Sequence, residues 1–100
     1  MNPLLEQNRP AIEALCRRYE VARLAVFGSA LRDDFAADSD VDFLVEFSAP
    51  SVEAFDRYFG LKEDLEATLG RRVDLVVEGA IRNPVFREEV QGANLPLYAA

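Results

Sequence analysis

Ile12, Leu15, Cys16 and Tyr19 recur at the i, i+3, i+4, i+7 spacing, led in by Leu4 and Leu5, and predict a helix over residues 3–19. Pro10 falls inside that span, where it bends the helix or marks its true start. The β-branched and aromatic run from Val21 to Phe27, stopped by Gly28, predicts a buried strand, and Ser29 suits the N-cap of a short helix through Leu31 and Arg32. Val41, Phe43, Val45 and Phe47 then alternate with Asp42, Leu44 and Glu46, which predicts a second strand over 41–47.

After Pro50 and Ser51 a long helix is expected from about Val52 to Leu69, with Phe55, Tyr58, Leu61, Leu65 and Leu69 on one stripe and Gly70 at its stop. Gly60 costs up to ~1 kcal/mol against Ala in a helix and marks a candidate break. Val73 to Val77 predicts a third strand. Asn83-Pro84 is a cap and first-turn pair for a short helix to about Val90, ended near Gly92, and Leu95 to Tyr98 suits a short edge strand. The alternation of helix and strand predicts an α/β (α+β) fold: a small mixed β-sheet with helices packed against it.

Size and charge narrow the picture. The 100 residues, 50% of them hydrophobic, suffice for one domain over 1–100 with one modest core, and leave no room for a second lobe. An enzyme of this size has a half-open site, so its second wall or its acceptor substrate is expected from another molecule. The net charge of −7 repels phosphate backbones and anionic lipid, which disfavours direct nucleic-acid or membrane-surface binding. The single cysteine, Cys16, falls on an apolar helix face and reads as a buried thiol. With no apolar stretch approaching the roughly 18 residues needed to cross a bilayer and no cationic leader, a soluble cytoplasmic protein is expected.

The candidate chemistry lies in the carboxylates. Asp40 and Asp42 share one side of the second strand, roughly 7 Å apart at the Cα level, while Val41 and Phe43 take the other. In the third strand Asp74 and Val76 alternate with Val73, Leu75 and Val77, so Asp74 can point the same way from an adjacent strand. Three convergent anions repel one another unless a cation sits among them. Magnesium suits an all-oxygen donor set and keeps positions open for substrate phosphates, whereas a chain without histidine and with one cysteine argues against zinc. Gly28 lets the backbone approach a ligand closely, the helix start after it offers N–H groups to a phosphate, Ser29 adds a hydroxyl, and Arg32 can reach a phosphate or brace the loop. The arrangement suits phosphoryl chemistry on a nucleoside triphosphate.

Each residue also has a plainer reading. Asp40 alone is ordinary turn chemistry, and Asp33, Asp34 and Asp38 read as a solvated loop. Asp42 and Asp74 lie inside strands, where Asp is depleted, and tilt toward function. Arg71 and Arg72 read first as a cap on the preceding helix and second as steering groups for a triphosphate. Phe55, Tyr58 and Phe59 read first as core and second as a stripe exposed in part to meet a partner, and Glu46 and Glu78 read as surface.

The stretch FGSALRDDFAADSDVDFLVEF, followed after a helix by RRVDLVV, resembles the minimal nucleotidyltransferase (MNT) family of the DNA polymerase beta-like superfamily. The shared pattern is Gly-Ser, a spacer of about ten residues, Asp-x-Asp and a third Asp on a later strand, met here by Gly28, Ser29, Asp40, Asp42 and Asp74. Many members carry a glycine after the arginine matched by Arg32, where this chain has Asp33. The resemblance implies two magnesium ions held by Asp40 and Asp42, with Asp74 on the ion that activates the incoming hydroxyl and as its candidate base. It further implies transfer of AMP from ATP to a tyrosine of a HEPN-domain ribonuclease toxin, so that the chain acts as an antitoxin. Two rivals stand beside it: a non-catalytic module that neutralises its partner by contact, and nucleotidyl transfer to a small molecule, whose enzymes carry an added acceptor domain.

Overall fold

The structure, a computed structural model, describes residues 3–31, 39–48 and 53–100. The elements follow in the order α1 (Pro3–Arg18), β1 (Val21–Phe27), a 3₁₀ turn (Gly28–Leu31), β2 (Val41–Phe47), α2 (Ala54–Leu69), β3 (Val73–Val77), a second 3₁₀ turn (Glu78–Ala80), α3 (Pro84–Gly92) and β4 (Asn94–Ala99). They build one four-stranded mixed sheet in the order β3-β2-β1-β4. β1 runs antiparallel to both β2 and β4, and β2 runs parallel to β3 through the α2 crossover. The Leu95 to Tyr98 segment thus joins the sheet at its edge.

Alternation along the strands divides the apolar side chains between two faces. Val21, Leu24, Val26, Val41, Phe43, Val45, Val73 and Leu75 form the main core with Leu5, Ile12 and Cys16 of α1 and Leu61, Leu65 and Leu69 of α2. Ala25, Phe27 and Leu44 form a smaller cluster on the opposite face with Ile81 and with Val90 of α3, and Val76 packs against it. Burial pushes the Cys16 thiol up to about 12, which leaves it an inert core side chain.

Four expectations meet physical corrections. Helix α1 runs through Pro10 without ending; Pro10 is exposed, so water can serve the backbone where its missing N–H leaves a gap. Helix α2 likewise continues through Gly60; a Cβ there would lie 2.7 Å from Cε1 of Tyr19, so the glycine admits the tyrosine that follows α1 to close packing. Of the aromatic stripe only Tyr58 packs, half-buried, against the core. Phe55 is 73% and Phe59 43% exposed, and the buried line of α2 is instead Arg57, Leu61, Leu65 and Leu69 at four-residue spacing. The Arg57 guanidinium lies 5.4 Å over the Phe47 ring and 3.5 Å from Oε2 of Glu20. Glu78, expected at the surface, is half-buried and paired with Arg23 at 2.7 Å.

The other terminators act as the sequence predicts. Gly70 ends α2 in the left-handed region at φ 68°, its N–H bonding the Glu66 carbonyl at 2.8 Å. Asn83 caps α3, its Oδ1 accepting from the Val85 and Phe86 N–H groups at 2.9 and 3.3 Å, with Pro84 in the first turn. The predicted α2 start at Val52, after Pro50 and Ser51, lies outside the described residues.

Candidate active site

The parallel register sets Asp42 of β2 directly beside Asp74 of β3, and Asp42 also pairs across β1 with Phe27. Both carboxylates alternate with core residues, so they belong to the face that carries Leu44 and Val76, next to α3 and away from α1 and α2. They sit where β2 and β3 begin and β1 ends. Asp42 is half-buried and Asp74 exposed, so this end of the sheet is open to solvent.

Gly28 closes the site from the β1 side. It takes φ +72°, a conformation that L side chains rarely adopt. A Cβ at this position would collide with Oδ2 of Asp42 and stand 3.2 Å from its Cγ. The glycine therefore lets the turn after β1 close over the aspartate. Ser29 lies within the four-residue 3₁₀ turn rather than ahead of a helix. Arg32, Asp33, Asp34, Asp38 and the Ser29 side chain lie outside the described part of the structure.

Asp40 is exposed just before β2, and Oδ1 of its carboxylate is 3.3 Å from Nε of Arg72. Arg71 donates to the Ser39 carbonyl at 3.2 Å, and the Arg72 carbonyl accepts from Val41 N–H at 3.0 Å. The two arginines thus brace the segment that delivers Asp40, a role the sequence reading did not foresee for them. Among the described residues no three metal-type side chains gather tightly enough to hold an ion. Asp42 and Asp74 are brought together by register, while Asp40 has an arginine beside it that offsets like-charge repulsion.

Two further residues act on Asp74 through the backbone. β3 is an edge strand, so the outward-facing polar groups of Val73 and Leu75 need partners outside the sheet. Helix α2 supplies both: the Glu66 carboxylate accepts from Val73 N–H at 3.0 Å, and the Tyr58 hydroxyl donates to the Leu75 carbonyl at 2.5 Å. Asp74 is held on either side by these bonds. The Val73 N–H, aided by Lys62, holds the Glu66 carboxyl below the usual carboxylate range. The sequence shows Tyr58 only as part of an apolar stripe and gives no sign of Glu66; their bonds to β3 become legible only once β3 is known to be an edge strand.

A nucleotidyltransferase domain model matches residues 9–93. Protein adenylyltransferase MntA of Thermococcus cleftensis is 39% identical over 73 residues, 73% of this chain and 72% of that protein. A Methanocaldococcus jannaschii protein provisionally named a protein adenylyltransferase is 38% identical over 77 residues, 77% of this chain and 76% of its own. Among solved structures, one provisionally described as a minimal nucleotidyltransferase superposes with TM-score 0.77 at 38% identity, covering 92% of this chain and 91% of that one. The fold recurs at 22% identity in a toxin-antitoxin structure with AMP-PNP, with TM-score 0.74 over 93% of this chain and 74% of that one. It recurs again at 21% identity in the complex of a tri-AMPylated Shewanella oneidensis HEPN toxin with its MNT antitoxin, with TM-score 0.68 over 95% of this chain and 72% of that one. With the domain match spanning most of the chain and relatives this similar, the chain belongs to the nucleotidyltransferase domain family.

Proposed function

We propose that this nucleotidyltransferase moves AMP from ATP onto a hydroxyl of a partner protein, a tyrosine of a HEPN-domain toxin, and thereby serves as its antitoxin. The observation that carries the reading is the register of Asp42 against Asp74 beside Gly28, which puts two carboxylates and an open backbone at one sheet end. The relatives named protein adenylyltransferases support the transferred group and the acceptor class. The shared fold with MNT antitoxins supports the partner.

Within this proposal Gly28 and Ser29 seat the triphosphate, and Arg32 is a further candidate for binding it. Asp74 faces the incoming hydroxyl and takes up its proton as the oxygen attacks the α-phosphorus and pyrophosphate leaves. The donor set of Asp40, Asp42 and Asp74 is all oxygen and fits hard divalent cations such as magnesium. When bound, such ions neutralise phosphate charge and stabilise the attacking and leaving oxygens. No helix among the described residues is long and apolar enough to cross a membrane, and we place the reaction in the cytoplasm, where ATP and a reduced Cys16 both belong.

Incubation with a HEPN-domain protein from the source cell, magnesium and ATP labelled at the α- or γ-phosphate tests the proposal. Label on the partner from the α-position alone is expected. Label from the γ-position would mean phosphoryl transfer, and no label in a stable complex would mean neutralisation by contact.

A further inference from the structure

A second feature stands beside Gly28 on the α3 face of the sheet. Phe27, Gly28, Phe86, Glu89, Val90 and Ala93 line a cavity of about 260 Å³. Phe27 and Phe86 meet edge to face across it, with ring centroids 6.1 Å apart, and Phe86 is 37% exposed although it belongs to a helix whose inward residue, Val90, is buried. Among the described residues the Glu89 side chain makes no hydrogen bond or ion pair.

We propose that this cavity holds the purine base of the nucleotide, with Phe86 and Phe27 against the ring and the Glu89 carboxylate accepting from the exocyclic amine of adenine. The proposal rests on the nucleotidyl-transfer reading above. Position argues for it first: the cavity shares Gly28 with the proposed triphosphate seat, so a base lodged there and a triphosphate on the turn are continuous. The sheet order argues second. Asp74, on β3, and the cavity, between the end of β1 and α3, flank Asp42 on opposite sides, which leaves the β3 side to the acceptor hydroxyl. Charge argues third. A carboxylate on the wall repels a phosphate but accepts from an amine, and aromatic faces suit a base rather than a sugar or an anion. A carboxylate also rejects hypoxanthine, whose carbonyl replaces the amine of adenine and would face another acceptor.

Calorimetric titration of the whole chain in magnesium buffer with a non-hydrolysable ATP analogue, ITP and inorganic tripolyphosphate separates the parts. Base stacking of the usual strength makes the ATP analogue bind on the order of tenfold or more tighter than tripolyphosphate. Phe86→Ala is expected to remove most of that advantage while tripolyphosphate binding stays unchanged. Glu89→Gln, whose amide can donate as well as accept, is expected to narrow the preference for the ATP analogue over ITP. Val85→Ser, at a 63% exposed position on the same helix, controls for helix damage and is expected to leave all three affinities unchanged. Wild-type affinity for the ATP analogue in both Phe86→Ala and Glu89→Gln would overturn the base site and leave the transfer reading standing. An equal loss of tripolyphosphate binding in Phe86→Ala would likewise overturn it, by assigning the cavity to the phosphates. Failure of the wild-type chain to bind either the ATP analogue or tripolyphosphate would sink the transfer reading and the base site together.

Discussion

At the scale of single residues, the site rests on side chains that are costly for folding. Asp is depleted in strands, yet Asp42 and Asp74 occupy adjacent strand positions side by side, where like charges oppose pairing. Asp42→Asn removes one of these charges at nearly constant shape. We expect its melting temperature to match or exceed that of the wild type, while nucleotidyl transfer is abolished; thermal melts beside a transfer assay check both. A large drop in melting temperature would make Asp42 a structural residue. These two aspartates were legible in the sequence because they interrupt apolar runs. The closeness of Gly28 to Asp42 was not, since the Asp42 carboxylate fills the place of a Gly28 side chain only once β1 and β2 are paired.

At the scale of elements, strands β1, β2 and β3, both long helices and the α3 cap were readable because periodicity and terminators agreed. Errors arose where one element's sequence is explained by another element. Gly60 reads as a helix breaker, but its reason is Tyr19 just after α1, whose hydroxyl also donates to Asp64 of α2 at 2.5 Å. Gly60→Ala should therefore lower stability even though Ala gains about 1 kcal/mol in helix propensity. Denaturant unfolding decides this, and a stabilised variant would show that Tyr19 moves aside freely. Phe55 and Phe59 read as core because they extend the leucine stripe, whereas Arg57 takes the inward position by covering Phe47.

Glu66 joins α2 to the start of β3 and carries a pH dependence with it. Its folded pKa is lowered from 4.5, chiefly by the Val73 N–H. The sign follows: the group stabilises the fold above its unfolded pKa, and that contribution is lost as pH falls through the lower folded value. Melting temperature is expected to fall on acidification below about pH 4.5, and to fall less steeply in Glu66→Gln. Parallel slopes for the two proteins would show that Glu66 is equally free in both states.

At the scale of the whole molecule, the described residues present Asp42 and Asp74 at one solvent-open end of the sheet. The described residues fold into a body with a radius of gyration of 12.9 Å, and the carboxylate face is covered only in part, by α3. The net charge of −7 turns away nucleic acid and favours a partner with a basic surface, as a protein that handles RNA has. Edge protection of β3 by Tyr58 and Glu66 was not legible, because strand order is a property of the assembled sheet.

The most direct measurement is the intact mass of a HEPN-domain partner after co-expression with this chain or with Asp42→Asn. The account predicts a mass increase of one or more adenylyl groups with the wild-type chain, lost with Asp42→Asn while the two proteins still associate. An unmodified partner that the wild-type chain nonetheless neutralises would contradict it.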